Sequence, residues 1–330
     1  MIDVLEPGLQ TTVQDSGRPG HLAQGIAPAG AFDSVSYRLG NVLVANPCGP
    51  APLMLGSPGA ATLEFVLMGP RLQFRHNTHI AITGAEFAPT VNGDPVPMWQ
   101  TLSVSAGSVL AIGGARRGAR GYLAVRGGID VEPWLGSRAT YVSAGIGGYH
   151  GRALRQGDVL QIAESQELPQ SMTITSPLQI SDTHVLRVMA GPQEEMFTAT
   201  SVDAFYNCDW QMTASADRMG CRFRGPELEL HPRADHVIRD GGSGAADIIA
   251  DVSPLGAIQV PSGLELIALG IEVPSIGGYA KIATVISADI AVLAQIRPWQ
   301  VVRFRRVDVQ EADTAFARQE EAVRAIRMAD

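Results

Sequence analysis

Leu63-Glu64-Phe65-Val66-Leu67, Leu72-Gln73-Phe74, Ile80-Ala81-Ile82, Leu102-Ser103-Val104, Val109-Leu110-Ala111-Ile112 and Tyr122-Leu123-Ala124-Val125 follow one another between Thr62 and Ile162. Each run is too short for a helix and rich enough in apolar and β-branched residues for a strand. Turn formers separate them, and Asn92-Gly93-Asp94 reads as a hairpin turn between two runs. So many short strands predict a closed or sandwiched β fold, because an open sheet would leave edges unpaired. Working outward, Ile2-Asp3-Val4-Leu5 alternates like a strand and stops at Pro7-Gly8. Asp33-Ser34 caps a predicted helix whose Val35, Leu39, Val42 and Leu43 recur at helical spacing, up to Asn46-Pro47. Strands resume at Val185–Met189, Arg222–Phe223, Ile258–Val260, Leu266–Leu269, Ile282–Ile286 and Val301–Phe304. Val309, Ala312, Phe316, Val323 and Ile326 then line one face of a C-terminal helix.

The 330 residues are about twice a usual domain. The polar stretch 164–181, with Pro169 and Pro177, reads as a connection. The expected division is therefore 1–165, a linker at 166–182, a second β subdomain at 183–307 and a helical tail at 308–330. With 45% hydrophobic and 18% charged residues, 36 Gly and 21 Pro, the chain is neither a coiled coil nor disordered. A net charge of −8, carried by the second half, is a poor match for a nucleic-acid backbone. No secretory signal is visible in the first thirty residues, and Ile282 to Ile296 is too short to span a bilayer, so a cytoplasmic location is expected. Cys48, Cys208 and Cys221 are odd in number and widely spaced, as expected of ordinary thiols.

Of the 25 basic residues all but Lys281 are arginine. Where either cation would serve this chain uses Arg, so the retained amine marks a position suited to a compact donor, base or nucleophile, or one too tight for Arg. The same count excludes a P-loop, because Lys281 precedes Ile282, and a covalently attached biotin, because no methionines flank it. Gly241-Gly242-Ser243-Gly244-Ala245 fails as a nucleophile elbow at its last position.

Three stretches carry candidate chemistry. In Thr12–His21, Gln14, Asp15 and Arg18 have the donors, acceptor and guanidinium to grip a planar polar substrate, or to hold a turn through an Asp15–Arg18 ion pair. In Ser275–Lys281, Gly277 and Gly278 offer backbone N–H groups to an anion. Tyr279 and Lys281, two apart on an extended segment, would share a face as an acid/base pair; a bulge with both side chains exposed is the structural alternative. Arg218 and Gln259 would line a cleft, or serve as an ion pair and a strand-end amide. Arg116, Arg117, Arg120 and Arg126 form a basic cluster suited to an acidic partner or a solvated hairpin. His76, His79, His231 and His236 lack metal-ligand spacing, and no metal site is expected. Ile146-Gly147-Gly148-Tyr149 recurs as Ile276-Gly277-Gly278-Tyr279, as two related β domains would produce.

At Thr12–Gly20, Gly25–Asp33, Tyr122–Gly128, Leu135–Thr140, Asp217–Gly220, Gly256–Pro261 and Gly277–Ser287 the sequence resembles the KipA-type family, known as the C-type component of bacterial 5-oxoprolinase and also labelled allophanate hydrolase subunit 2 or biotin-dependent carboxyltransferase. The resemblance implies two cyclophilin-like β-barrel subdomains. It implies a KipI-type protein and a LamB/YcsF-type protein as partners in a hetero-oligomer that hydrolyses 5-oxo-L-proline to glutamate with ATP as co-substrate. The alternatives are carboxyl transfer from carboxybiotin on a separate carrier to a urea-like amide, and a non-catalytic regulator that sequesters the KipI-type partner. In the hydrolase picture Lys281, Tyr279 and Asp15 are catalytic, while Gln14, Arg18, Arg218, Gln259, Gly277 and Gly278 bind substrate. The chain departs from the family at Pro274 and Ile276, where a Gln and a Thr are usual, and at Ala250-Asp251-Val252, where Ser-Glu/Asp-Gly is usual.

Overall fold

The computed structural model describes all residues except 52, 53, 55, 169, 176–179, 182, 233–245 and 329–330. Pro169, Pro177, His236 and the 241–245 glycine run lie outside the described residues. The chain forms two compact units: Met1–Gly20 with Pro28–Ser181 and Glu320–Asp330, and His21–Ala27 with Asp182–Gln319. The expectation of a mainly β protein with a few helices and a C-terminal helix is met.

The first unit holds two sheets. Thr11–Gln14, Thr62–Val66, Arg117–Val125, Thr78–Glu86 and Leu102–Val104 form one, in that order. The other runs Ile129–Asp130, Val159–Ile162, Ile2–Glu6, Arg71–Phe74, Val109–Ala111, Thr90–Val91 and Asp94–Pro95. Leu63, Phe65, Ile80, Ile82 and Leu123 from the first sheet pack with Ile2, Val4, Leu72, Phe74 and Leu160 from the second in one buried core. The Thr90–Val91/Asp94–Pro95 hairpin turns at Asn92 and Gly93, with φ of 55° and 92°, the left-handed pair a tight hairpin requires. Helix Ser34–Leu43 starts at Asp33, whose carboxylate accepts from Ser36 N at 3.0 Å.

The second unit is a closed seven-stranded barrel in the order His184–Ala190, Lys281–Val285, Ala257–Gln259, Glu265–Leu269, Gly220–Arg224, Trp210–Met212 and Val301–Arg306. The last strand returns to lie parallel to the first, with His184 opposite Val302 and Val188 opposite Arg306. Phe304 stacks on Phe205 of helix Ala199–Asn207 at 4.7 Å and meets Phe223 edge-on at 5.8 Å, an aromatic cluster within the unit's core. A separate two-stranded ribbon, Asp247–Val252 with Ile276–Tyr279, places Asp251 opposite Gly277. The C-terminal helix Val309–Met328 sets Ala312 and Ala315 against Ile286, Ala288 and Val307, while Val309 is exposed.

The internal echo does not repeat a conformation. Gly147 and Gly148 are left-handed, with φ of 66° and 52°, whereas Gly277 and Gly278 lie in an extended strand.

Candidate active site

Lys281 opens a barrel strand, and its register partner across the ladder is Gln259, the last residue of Ala257–Gln259. Residues opposite one another on a ladder project to the same face, which puts Lys281 and Gln259 on one side of it. The ladder is irregular between Ile258 and Gln259, at the end of that strand. Lys281 is 1% exposed, and its Nζ lies 3.1 Å from Asp251 Oδ2, an ion pair without the alignment of a hydrogen bond. Asp251 stands on the ribbon with its side chain 45% exposed. Contact with Lys281, aided by the Val252 N–H and Gln193, holds its carboxyl below the usual carboxylate range.

Two further buried polar groups meet at the ribbon strand. Ser253 is fully buried and Gln259 is 5% exposed, and neither Ser253 Oγ nor Gln259 Nε2 has a hydrogen-bond partner among the described residues. A Cβ on Gly277 would lie 2.5 Å from Gln259 Nε2 and 2.8 Å from Ser253 Oγ, so both groups reach the same point above this glycine. Gln193 braces the site from behind: its Oε1 accepts from Lys281 N at 3.1 Å and its backbone N–H donates to Lys281 O at 3.3 Å. Burying polar groups without partners is costly, and here two such groups meet at one glycine.

Ser253 and Gln193 did not stand out in the sequence. Serine and glutamine are common, and Gln193 lies 88 residues from its partner Lys281. Tyr279 does not share a face with Lys281. The chain leaves the ribbon at Tyr279, Ala280 N donates to Ala246 O at 2.8 Å, and the barrel strand begins at Lys281. Tyr279 is 40% exposed while Lys281 is buried. Gly278 lies beside Gly277 in the ribbon strand.

Arg218 and Glu272 form a buried ion pair at 2.6 Å, with Arg218 O also accepting from Glu272 N at 3.0 Å. This pair fixes the segment leading into the ribbon strand that carries Gly277.

Gln14, Asp15 and Arg18 belong to the first unit and are described there. Asp15 is buried and accepts from Ser137 Oγ at 2.7 Å, Gly17 N at 2.8 Å and Arg138 N at 2.5 Å. Burial pushes its carboxyl upward, opposed by those three donors and by Arg18. Gln14 Nε2 donates to Thr12 Oγ1 and to Thr140 O, at 3.0 and 3.1 Å. Arg18 donates to the carbonyls of Ala139 and Trp134 and lies 5.4 Å from the Trp134 ring centre. These contacts tie the N-terminal loop to the 134–140 loop. The arginines at 116–126 do not make one patch. Arg126 donates to Val44 O and Gln166 O, and Arg120 lies over the Phe32 ring beside Glu64. Arg116 and Arg117 line a groove of about 610 Å³ with Phe87, Met98 and Trp99. Among the described residues no three His, Cys, Asp or Glu side chains gather as metal ligands, and no helix is long and apolar enough to cross a membrane.

Residues 24–306 match the family described as the carboxyltransferase domain, subdomain A and B. The C-type component of the Haemophilus influenzae 5-oxoprolinase is 33% identical over 312 residues, spanning 94% of this chain and 93% of that protein. The urea amidolyase of Saccharomyces cerevisiae is 32% identical over 336 residues, which cover 98% of this chain and 18% of the relative. The crystal structure of the Kluyveromyces lactis urea carboxylase superposes with a TM-score of 0.86 at 30% identity, over 98% of this chain and 29% of that one.

Proposed function

The chain belongs to the carboxyltransferase-domain family, and on that premise we propose that it is the component of a 5-oxoprolinase-like enzyme that binds a small cyclic amide acid and supports its ATP-dependent opening. Its similarity to the C-type component of the Haemophilus influenzae 5-oxoprolinase, along almost the whole length of both, supports the reading. The observation that carries it is the meeting of two buried donors, Gln259 and Ser253, at Gly277, with the buried Lys281 ammonium on Asp251, the register partner of that glycine. Donors fixed in place before the substrate arrives stabilise an anionic oxygen at no cost in reorganisation. Lys281 supplies the positive charge, Gln259 and Ser253 orient the group, and Gly277 keeps the floor open. Asp251 holds the ammonium until the substrate binds.

Tyr279, exposed beside the ribbon, and Gly278 contribute at the rim. Arg218, through Glu272, is a positioning residue for the segment leading to Gly277, while Gln14, Asp15 and Arg18 hold the N-terminal loop of the first unit to its 134–140 loop. ATP is a co-substrate. The chain has no Gly-Lys-Ser/Thr phosphate loop, which favours nucleotide binding on a KipI-type partner, with a LamB/YcsF-type partner completing the assembly.

Co-expression with the products of the neighbouring genes, followed by an ATP-hydrolysis screen over 5-oxoproline, urea and related lactams, tests the reading. Lactam-dependent ATP consumption is the expected result. Turnover of a urea-like amide only with a carboxybiotin donor would instead place the chain with the carboxyltransferases, the reading favoured by the 0.86 TM-score to urea carboxylase. Assembly with no turnover on any substrate would favour a regulator. Within that assay Gly277→Ala is expected to lower turnover about tenfold to a hundredfold, because its methyl displaces the Gln259 and Ser253 side chains. Those two atoms are side-chain ends that can give way, so the melting temperature should barely move.

A further inference from the structure

Resting on the reading that this cradle receives substrate, we propose that it is a receptor for a planar carboxylate-type anion, and that Asp251 is a built-in stand-in occupying its cation until that anion arrives. The donor set is the first ground. Ser253 Oγ, Gln259 Nε2 and Lys281 Nζ are all buried, and all lack an aligned hydrogen bond among the described residues. A hydroxyl, an amide NH₂ and an ammonium together offer more hydrogens than a neutral carbonyl oxygen can accept, whereas a carboxylate has two oxygens and about four lone-pair sites. Convergence is the second ground. A Cβ on Gly277 would lie 2.5 Å from Gln259 Nε2 and 2.8 Å from Ser253 Oγ, so two of the donors are aimed at one point of the ribbon strand.

Asp251 supplies the third. Its carboxylate sits 3.1 Å from the ammonium, yet its side chain is 45% exposed and comes from the ribbon rather than the barrel. Swinging it into water strands no buried charge on its own side, so the exchange of one carboxylate for another at Lys281 is close to balanced. A neutral ligand would leave the ammonium without a counter-charge on displacing Asp251. The arrangement therefore selects anions. The shared chemistry covers a free carboxylate, a carbamate and bicarbonate.

The test uses the full-length protein with sodium formate as probe and 2-pyrrolidone as the neutral lactam control. Affinities are measured by titration calorimetry at constant ionic strength, with melting curves confirming each fold. Asp251→Asn removes the competitor, and if Asp251 occupies the cation about nine-tenths of the time, formate should bind about tenfold more tightly. Lys281→Met should abolish formate binding, and Ser253→Ala should weaken it severalfold in both the parent and the Asp251→Asn background. Binding of 2-pyrrolidone should be weaker than that of formate and should change less than twofold. Formate affinity that stays the same or falls in Asp251→Asn would overturn the stand-in role. An equal gain by 2-pyrrolidone would overturn the preference for an anion. Because no turnover is read, a complex inactive on every lactam leaves this result standing, and an active complex whose Asp251→Asn variant gains nothing defeats this inference alone.

Discussion

Lys281→Met in the assembled complex is expected to lower lactam-dependent turnover by about 10²–10³-fold, the size of effect found when one preorganised charge-stabilising donor is removed. Met is close in length to the lysine stem and fills the buried space the stem occupies. The carboxylate left behind on Asp251 is already half in water, so no buried charge is stranded. Stability should therefore change little, and a melting curve beside steady-state ATP and lactam hydrolysis separates the two effects. Lys281→Arg should be nearly as inactive. It keeps the charge, but a planar fork on a longer stem does not fit the space of a side chain 1% exposed. Full activity in either variant would remove Lys281 from the site.

The second large effect is one of stability. Glu272→Ala removes the carboxylate 2.6 Å from the buried Arg218 guanidinium, and breaking a buried pair costs about 3–5 kcal/mol. Both side chains are 5% exposed and meet at 2.6 Å, so water cannot easily replace the lost partner. Chemical denaturation of the purified chain should show the midpoint shift. The double change Glu272→Leu with Arg218→Met should recover much of the loss, because well-packed apolar residues often replace a buried pair at little cost. A single Glu272→Ala within about 1 kcal/mol of the parent would show that the pair does not anchor the segment leading to Gly277.

Much of this architecture was legible in local patterns. The strand runs between Leu63 and Val125 and the Asn92-Gly93 turn reflect constraints acting over a few residues, and the structure follows them. Lys281 was legible for another reason: in a chain that otherwise uses arginine, the single ammonium marks a buried niche. What local reading missed depends on long-range closure. Ser253 gains meaning only when the ribbon pairs Asp251 with Gly277, and Gln193 only when the strand before it, His184–Ala190, pairs with the one that begins at Lys281. Two-residue spacing implied that Tyr279 and Lys281 share a face, but that holds only within one strand, and here the chain changes ladders at Ala280. The recurring Ile-Gly-Gly-Tyr shows the same limit, since glycine allows both conformations and its surroundings choose.

The parallel pairing of His184–Ala190 with Val301–Arg306 has a consequence for biosynthesis. The seam of the barrel joins its first-made strand to its last, so a nascent second unit has two raw edges until residue 306 leaves the ribosome. Parallel contacts this distant in sequence form slowly, and unpaired edges invite association between chains. A ribosome stalled a few codons before the seam would therefore leave an open, adhesive sheet, and recombinant yield should depend on how quickly that last strand is delivered.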